Sequence, residues 1–170
     1  MRITLEWLKE QRACDAGIAW FRSQEQTNST YVLKALLDIQ HYDWANWLIV
    51  RVMERKQYLA YAIFSAEQVI GIYETQHPSN DRPRKAIEAA KRVLENDTPE
   101  NRANAWAAYA AAYAAAADAE AAAWAAYAAA YAAYAAYAAG AAAYAAYAAA
   151  YARIEKQTRI LIYGMGLLEK

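Results

Sequence analysis

Three basic side chains lie together at the start of a predicted helix. Arg82, Arg84 and Lys85 lie in or beside the first turn of a helix that we expect over about 83–95. Free backbone N–H groups and the helix dipole at such an end favour a bound anion. These three residues are therefore candidates for binding a phosphate group or an acidic partner.

The same positions also have a purely structural interpretation, which we favour. Asp81 and Pro83 are typical of a capped helix start and need no ligand to account for them. One arginine could pair with Asp43 or another acid in the core, while the other charges are solvated. Because residues two apart on a helix point to different sides, we expect one of Arg82 and Arg84 to be structural and the other exposed.

A stripe of aromatic residues runs through the alanine-rich stretch between Arg102 and Arg153, in steps of mostly three and four residues. Tyrosine and tryptophan are rigid and amphipathic, so they can stack on a base or line a protein interface. A stripe at helical spacing more often packs into a core, which is the interpretation that we favour, although several polar tips should then reach a surface or groove. The binding candidates in the stripe are Trp106, Tyr109, Tyr113, Trp124, Tyr127, Tyr131 and Tyr134.

Other reactive or aromatic residues in the N-terminal half predict packing rather than chemistry. Asp43, Trp44 and Trp47 resemble a helix cap followed by two buried anchors. Cys14 has no signature of a nucleophile, and its apolar neighbours favour a small buried side chain.

The motifs of catalytic and metal sites are missing from the sequence. His41 and His77 have no Cys, Asp or Glu at the spacing of metal ligands. Asp118 and Glu120 are two residues apart, on different faces of a helix, so they do not form an acid/base pair. There is no Gly-rich phosphate loop and no serine-nucleophile motif. We therefore expect neither an enzyme nor a cofactor.

Composition excludes several classes of partner. The 170 residues carry 18 basic and 18 acidic side chains, a balance that gives no argument for nucleic acid or an anionic membrane. The alanine-rich stretch carries too many polar tyrosine hydroxyl groups for a transmembrane span. A single cysteine and a charged, amphipathic N-terminal segment favour the reducing cytoplasm.

Helices are predicted throughout the chain. Alanine is the best helix former, so the alanine-rich stretch should be helical. The aromatic residues recur about every 3.5 residues on average, slightly less than one helical turn, so the stripe would rotate gradually around one straight helix. We therefore expect breaks in it. The prediction is an all-α, single-domain helical bundle of about eight or nine helices with an Ala/Tyr-rich C-terminal half. Helices are expected from two short segments within 3–24, from near Tyr31, and over 43–54, 56–76, 83–95, 99–116, 118–138 and 141–162.

We expect one domain, 1–170, in three parts. Residues 1–77 form a conventionally patterned helical half. Residues 78–98 hold proline-flanked loops and the basic helix, and residues 99–170 hold the Ala/Tyr-rich helices and a closing tail. Because the Ala/Tyr-rich helices have no large aliphatic side chains, both halves should share one core.

Several segments together resemble a known family. ACDAGIAWF (13–21), HYDWANWLIVRV (41–52), AYAIFSAEQV (60–69) and NDRPRKAIEAAKRVLE (80–95), followed by a long alanine-rich tail, resemble the alanine-rich putative immunity proteins of bacteria and phages. The resemblance covers nearly the whole chain. It implies an all-helical fold and a role in bacterial conflict or phage defence, and it assigns no chemistry to any residue.

The functional hypothesis is a non-catalytic cytoplasmic binding protein that neutralises or sequesters a partner in bacterial or phage conflict. The partner would be a protein toxin or defence effector, or alternatively a small phosphorylated or nucleotide signal bound by Arg82, Arg84 and Lys85 together with stacked tyrosines. A further alternative is a structural homo-oligomer that pairs its own Ala/Tyr face. A membrane partner is not expected, and nucleic acid is disfavoured.

Overall fold

The computed structural model describes residues 1–116, 128, 131 and 156–169, and within them the chain is all-α, which confirms the predicted fold class. The only β feature of this part is an isolated antiparallel bridge between Arg2 and Asn28. The helices are α1 (Leu5–Glu10), α2 (Asp15–Arg22), α3 (Ser29–Asp38), α4 (Tyr42–Val52), α5 (Arg55–Glu67), α6 (Ile70–Gln76), α7 (Arg82–Glu95), α8 (Pro99–Ala116) and α9 (Gln157–Leu168).

Local capping sets two of the predicted helix starts. The Asn28 side-chain oxygen accepts a hydrogen bond from the Thr30 N–H at 2.9 Å, which begins α3. Thr98 accepts one from the Asn101 N–H at 3.1 Å, and Pro99 follows as the first residue of α8, where its missing N–H leaves no helical bond unmade. The helices expected from near Tyr31 and over 99–116 therefore begin at Ser29 and Pro99.

The single helix expected over 56–76 is divided into α5 and α6, so that prediction is wrong. At the junction the chain tightens, and the Val69 N–H donates to the Ala66 carbonyl at 3.2 Å. Val69 leaves helical geometry with φ −129° and ψ −13°. Val69 and Ile70 are then both buried, at 1% and 2% exposure. Gly71 follows the junction directly, and the burial of two adjacent side chains accompanies the break.

One hydrophobic core joins the two halves of the chain. Ala105 of α8, Ala128, and Ile160 and Leu161 of α9 belong to the same buried cluster as Ile3 near the N terminus. Helix α9 contacts α4 and α5, the helices with the longest runs of buried residues. The expectation of a shared core is met within the described residues.

Helices α7 and α8 pack through alanine. Ala86, Ala89 and Ala90 of α7 and Ala105 and Ala112 of α8 are at most 1% exposed. Small side chains let two helix backbones approach closely, and α7 also contacts α5. Ala105 and Ala112 of α8 therefore face the protein, which limits where the aromatic residues of this helix can lie.

The predicted helices 118–138 and 141–162 lie mostly outside the described residues. Of the first, Ala128 and Tyr131 are described, and both are helical. The predicted end at residue 162 is wrong, because α9 continues to Leu168. It passes through Gly164, which is buried in a close contact with Tyr61 and so serves packing rather than helix termination.

Candidate functional site

Arg84 belongs to a two-point ion pair on the protein surface. Its Nε and Nη2 donate to Oε1 and Oε2 of Glu74, each at 2.6 Å. This hydrogen bonding lowers the pKa of Glu74 below its usual 4.5 and raises the pKa of Arg84. Because Glu74 lies in α6, the pair ties α7 to the helix before it. Arg84 thus pairs with an acid other than Asp43, and this acid lies at the surface rather than in the core as predicted.

Arg82 and Lys85 also have neighbouring partners. Lys85 Nζ lies 2.8 Å from a carboxylate oxygen of Asp81, one helical turn before it. Arg82 is exposed, and its Nε donates to the Asn80 side-chain oxygen at 2.9 Å. Asp81 occupies the N-cap position of α7 without a side-chain bond to the backbone, so its predicted capping role is wrong.

The basic start of α7 is thus already balanced by local partners. Arg84 and Lys85 each pair with a carboxylate. The Arg84–Glu74 pair is the less exposed to solvent, since each of its side chains is 36% exposed, whereas those of Lys85 and Asp81 are each 64% exposed. A phosphate group would have to compete with these carboxylates. This arrangement fits the structural interpretation of the basic cluster better than an anion site.

Three of the predicted aromatic residues form a continuous surface, which we call the aromatic patch: Trp106, Tyr109 and Tyr131. The Trp106 and Tyr109 rings stack at 4.8 Å between centroids with 16° between their planes. Tyr109 and Tyr131 follow at 5.2 Å and 34°. Trp106 is 44% exposed and Tyr131 37% exposed. Parts of Trp106 and Tyr131 in the patch are therefore open to solvent.

The favoured core interpretation of the stripe does not hold for this patch. The alanines of α8, such as Ala105 and Ala112, take the buried positions against α7, so Trp106 is left at the surface. Tyr109 is half-buried and packs beside Ala86 and Ala112. The remaining candidates of the stripe lie outside the part of the chain whose side chains are described: Tyr113, Trp124, Tyr127 and Tyr134.

A second feature, which we call the tryptophan cavity, lies between α1, α2, α3 and α4. It encloses about 310 Å³, and its walls include Trp20, Trp44 and Trp47. The Trp20 and Trp44 rings lie 6.2 Å apart at 57°. All three tryptophans are half-buried rather than the fully buried anchors predicted at Trp44 and Trp47.

Two further N-terminal predictions are wrong at this cavity. Cys14 is exposed, because it is the N-cap of α2, where its Sγ accepts a hydrogen bond from the Gly17 N–H at 3.4 Å. Asp43 is not the N-cap of α4: that position belongs to His41, after a left-handed Gln40 with φ 58°. Both Cys14 and Asp43 line the cavity.

The sequence did contain a signal for the cavity, but an indirect one. Trp44 and Trp47 are three residues apart on one helix, and Trp20 lies in a short helix with Gly17 one turn earlier. Tryptophan is too large to be fully enclosed easily, so three of them in a small helical half could have suggested a concave surface. Their convergence depends on how α2 packs against α4, which spacing does not give.

The described residues contain neither a cluster of metal ligands nor a helix that could cross a membrane. In this part of the chain no group of three or more His, Cys, Asp or Glu side chains could hold a metal ion. Among the same residues, no helix has both the length and the apolar character needed to cross a bilayer.

Comparison with known proteins places the chain in a family. No curated protein and no solved structure matches it. Residues 49–161, about two thirds of the chain, match the family described as "Imm-5 like putative immunity protein". That description supports an immunity-type role and suggests a protein partner. The chain belongs to the Imm-5 like putative immunity protein family.

Proposed function

We propose that the protein is a non-catalytic immunity protein that neutralises a protein toxin or defence effector by docking it on the aromatic patch. The observation that carries this proposal is the exposed stack of Trp106 on Tyr109, extended by Tyr131. Aromatic residues dominate the energetics of protein interfaces because they bury much apolar area at little entropic cost.

The surroundings of the patch suit a protein surface. Along α8 the residues beside Trp106 are small and exposed, including Ala103, Asn104, Ala107 and Ala110. A partner could therefore contact these small side chains together with the aromatic rings. The rings are already stacked on one another, so binding should cost little additional side-chain entropy.

The test begins with the partner itself. Affinity capture from the bacterial host should recover one protein in stoichiometric amount, and that protein should then be purified. Titration calorimetry with the purified partner should give a dissociation constant at least about thirtyfold weaker for Trp106→Ala than for the unaltered protein, the loss typical of a hot-spot residue. Tyr31→Ala is the matched control, since Tyr31 is 55% exposed and lies on α3 outside the patch.

Three results would count against the proposal. Capture that yields no stoichiometric protein would contradict it. So would equal weakening of binding by Trp106→Ala and Tyr31→Ala, because the patch would then not be the interface. Mass spectrometry should also show the bound partner chemically unchanged. A covalent change in its mass would instead indicate catalysis.

Two alternatives have less support. A sponge for a phosphorylated or nucleotide signal would need Arg84 and Lys85, which are already paired with Glu74 and Asp81. Self-association through the patch would give a dimer in light scattering that Trp106→Ala converts to monomer. We place the encounter with the partner in the cytoplasm, where the single exposed Cys14 would stay reduced.

A further inference from the structure

The tryptophan cavity is separate from the aromatic patch and from the matched family region. Its lining residues run from Ile3 to Leu48, whereas the family match begins at residue 49. Its volume of about 310 Å³ lies at the lower end of the range of about 300–1,000 Å³ found for small-molecule sites. A ligand of this cavity would therefore be small.

The aromatic walls are held in place by contacts outside the cavity. His41 stacks on Trp44 at 4.2 Å with only 7° between the planes. The Arg51 guanidinium lies 4.1 Å from the Trp47 ring centroid and also donates to the Trp47 carbonyl at 2.8 Å. Trp7 meets Trp47 edge-on at 6.4 Å. The indoles are thus fixed before any ligand arrives, which reduces the entropic cost of binding.

The rest of the wall is mainly aliphatic. Leu8 of α1, Leu36 of α3 and Leu48 of α4 line the cavity and are each at most 6% exposed. Aliphatic side chains beside indole rings favour a flat apolar group, and they reject a highly charged one because its desolvation would not be compensated. The body of the ligand should be a single aromatic ring or a group of similar size.

Two opposite charges accompany this apolar wall. Arg12 and Asp43 both line the cavity and both are exposed. In the described part of the chain neither side chain belongs to a salt bridge or a side-chain hydrogen bond. Arg12 is held in the left-handed region at φ 58°, in the turn between α1 and α2. Such a pair can receive an ammonium group at Asp43 and a carboxylate at Arg12.

We propose that the tryptophan cavity binds a small zwitterion with an aromatic side chain, the chemical class of a free aromatic amino acid. The ring lies among Trp20, Trp44 and Trp47, the ammonium group pairs with Asp43, and the carboxylate pairs with Arg12. A zwitterion would pair with both side chains, whereas a simple cation would leave Arg12, and a simple anion would leave Asp43, to the solvent.

Calorimetry with three matched probes tests the proposal. L-phenylalanine carries both charged groups, phenethylamine lacks the carboxylate, and 3-phenylpropanoate lacks the ammonium group. We expect L-phenylalanine to bind about five- to tenfold more tightly than either analogue, because it makes both charge-assisted contacts. Equal binding of all three, or no binding of L-phenylalanine at millimolar concentration, would overturn the proposal.

Two variants assign the contacts. Asp43→Asn should weaken L-phenylalanine and phenethylamine by about five- to tenfold and leave 3-phenylpropanoate unchanged. Arg12→Gln should weaken L-phenylalanine and 3-phenylpropanoate and leave phenethylamine unchanged. Both side chains are exposed, so the variants should keep the circular dichroism and the melting temperature of the parent. Binding that neither variant alters would place the ligand elsewhere and refute the assignment.

Cys14 provides an independent readout of position. It is the single cysteine of the chain, it is exposed, and it lines the cavity. Saturating L-phenylalanine should slow its alkylation by iodoacetamide severalfold, since the ligand covers the thiol. Glycine at the same concentration, a zwitterion without the ring, should leave the rate unchanged. An alkylation rate that L-phenylalanine does not slow would contradict the proposed location.

Discussion

Gly164 and Gly166 lie two residues apart in α9, and the structure predicts opposite effects of alanine at the two positions. A Cβ atom at Gly164 would lie 2.6 Å from Tyr61 Cε2 and 2.7 Å from Ile49 Cδ1. Favourable carbon–carbon contacts lie at about 3.5–4.0 Å, so these atoms would have to move apart by nearly 1 Å. At Gly166 an added Cβ would meet no atom within 4 Å.

The neighbours of Gly164 have little freedom to move. Tyr61 and Ile49 are both 0% exposed, and the Tyr61 hydroxyl donates to the buried side-chain oxygen of Asn46. Overpacking in such a place costs up to about 3 kcal/mol, while alanine gains about 1 kcal/mol over glycine in helix propensity. We therefore expect Gly164→Ala to destabilise by about 2 kcal/mol.

Gly166→Ala is the matched control, because it makes the same chemical change in the same helix. With no steric cost it should stabilise the protein by about 0.5–1 kcal/mol. The two variants should then differ by about 3 kcal/mol, which for a chain of this size is about 6–12 °C in melting temperature. Thermal and urea unfolding followed by circular dichroism would measure it.

Equal stabilisation by both alanines would refute the reasoning. It would mean that α9 is not held against α4 and α5 in the described geometry, and that the two halves do not share the core through Gly164. Equal destabilisation would point instead to a general intolerance of side chains on α9.

Three further predictions concern the polar contacts. Tyr61→Phe leaves the buried Asn46 side-chain oxygen without its hydrogen-bond donor, so the free energy of unfolding in urea should fall by about 1–3 kcal/mol. Tyr31→Phe on the surface should leave it unchanged. Equal effects of the two variants would contradict this prediction. Arg84→Ala breaks a pair whose side chains are each 36% exposed, so the free energy of unfolding should fall by only about 0–1 kcal/mol. Arg82→Ala should have an effect nearer zero. A fall of about 3 kcal/mol or more for Arg84→Ala would show a buried pair instead. Because Arg84 lowers the pKa of Glu74, the stability from that pair is present above the ordinary pKa of 4.5 and is lost as pH falls through the lower folded pKa. The stability advantage of the parent over Glu74→Gln should therefore shrink as pH falls below 4.5, whereas an advantage that is the same at pH 7 and at pH 2 would contradict the pairing.

The sequence alone determined the features that depend on neighbouring residues. The all-α class followed from alanine content and helical periodicity, and the helices expected from near Tyr31 and from residue 99 begin at Ser29 and Pro99. These are short-range effects. A cap or a proline acts on the backbone within one helical turn, so its effect can be predicted from the amino-acid sequence. The family resemblance was available for the same reason, since it needs only the order of residues.

Only the tertiary structure decided which surfaces meet. Arg84 pairs with Glu74 rather than Asp43, and Cys14 is exposed although its neighbours are apolar. Trp106 is at the surface because Ala105 and Ala112 of α8 take the buried positions in the contact with α7. The tryptophan cavity arises from four helices whose crossing no local spacing specifies. Such contacts join residues far apart in the chain, and their choice depends on the packing of the whole core rather than on the preferences of any one segment.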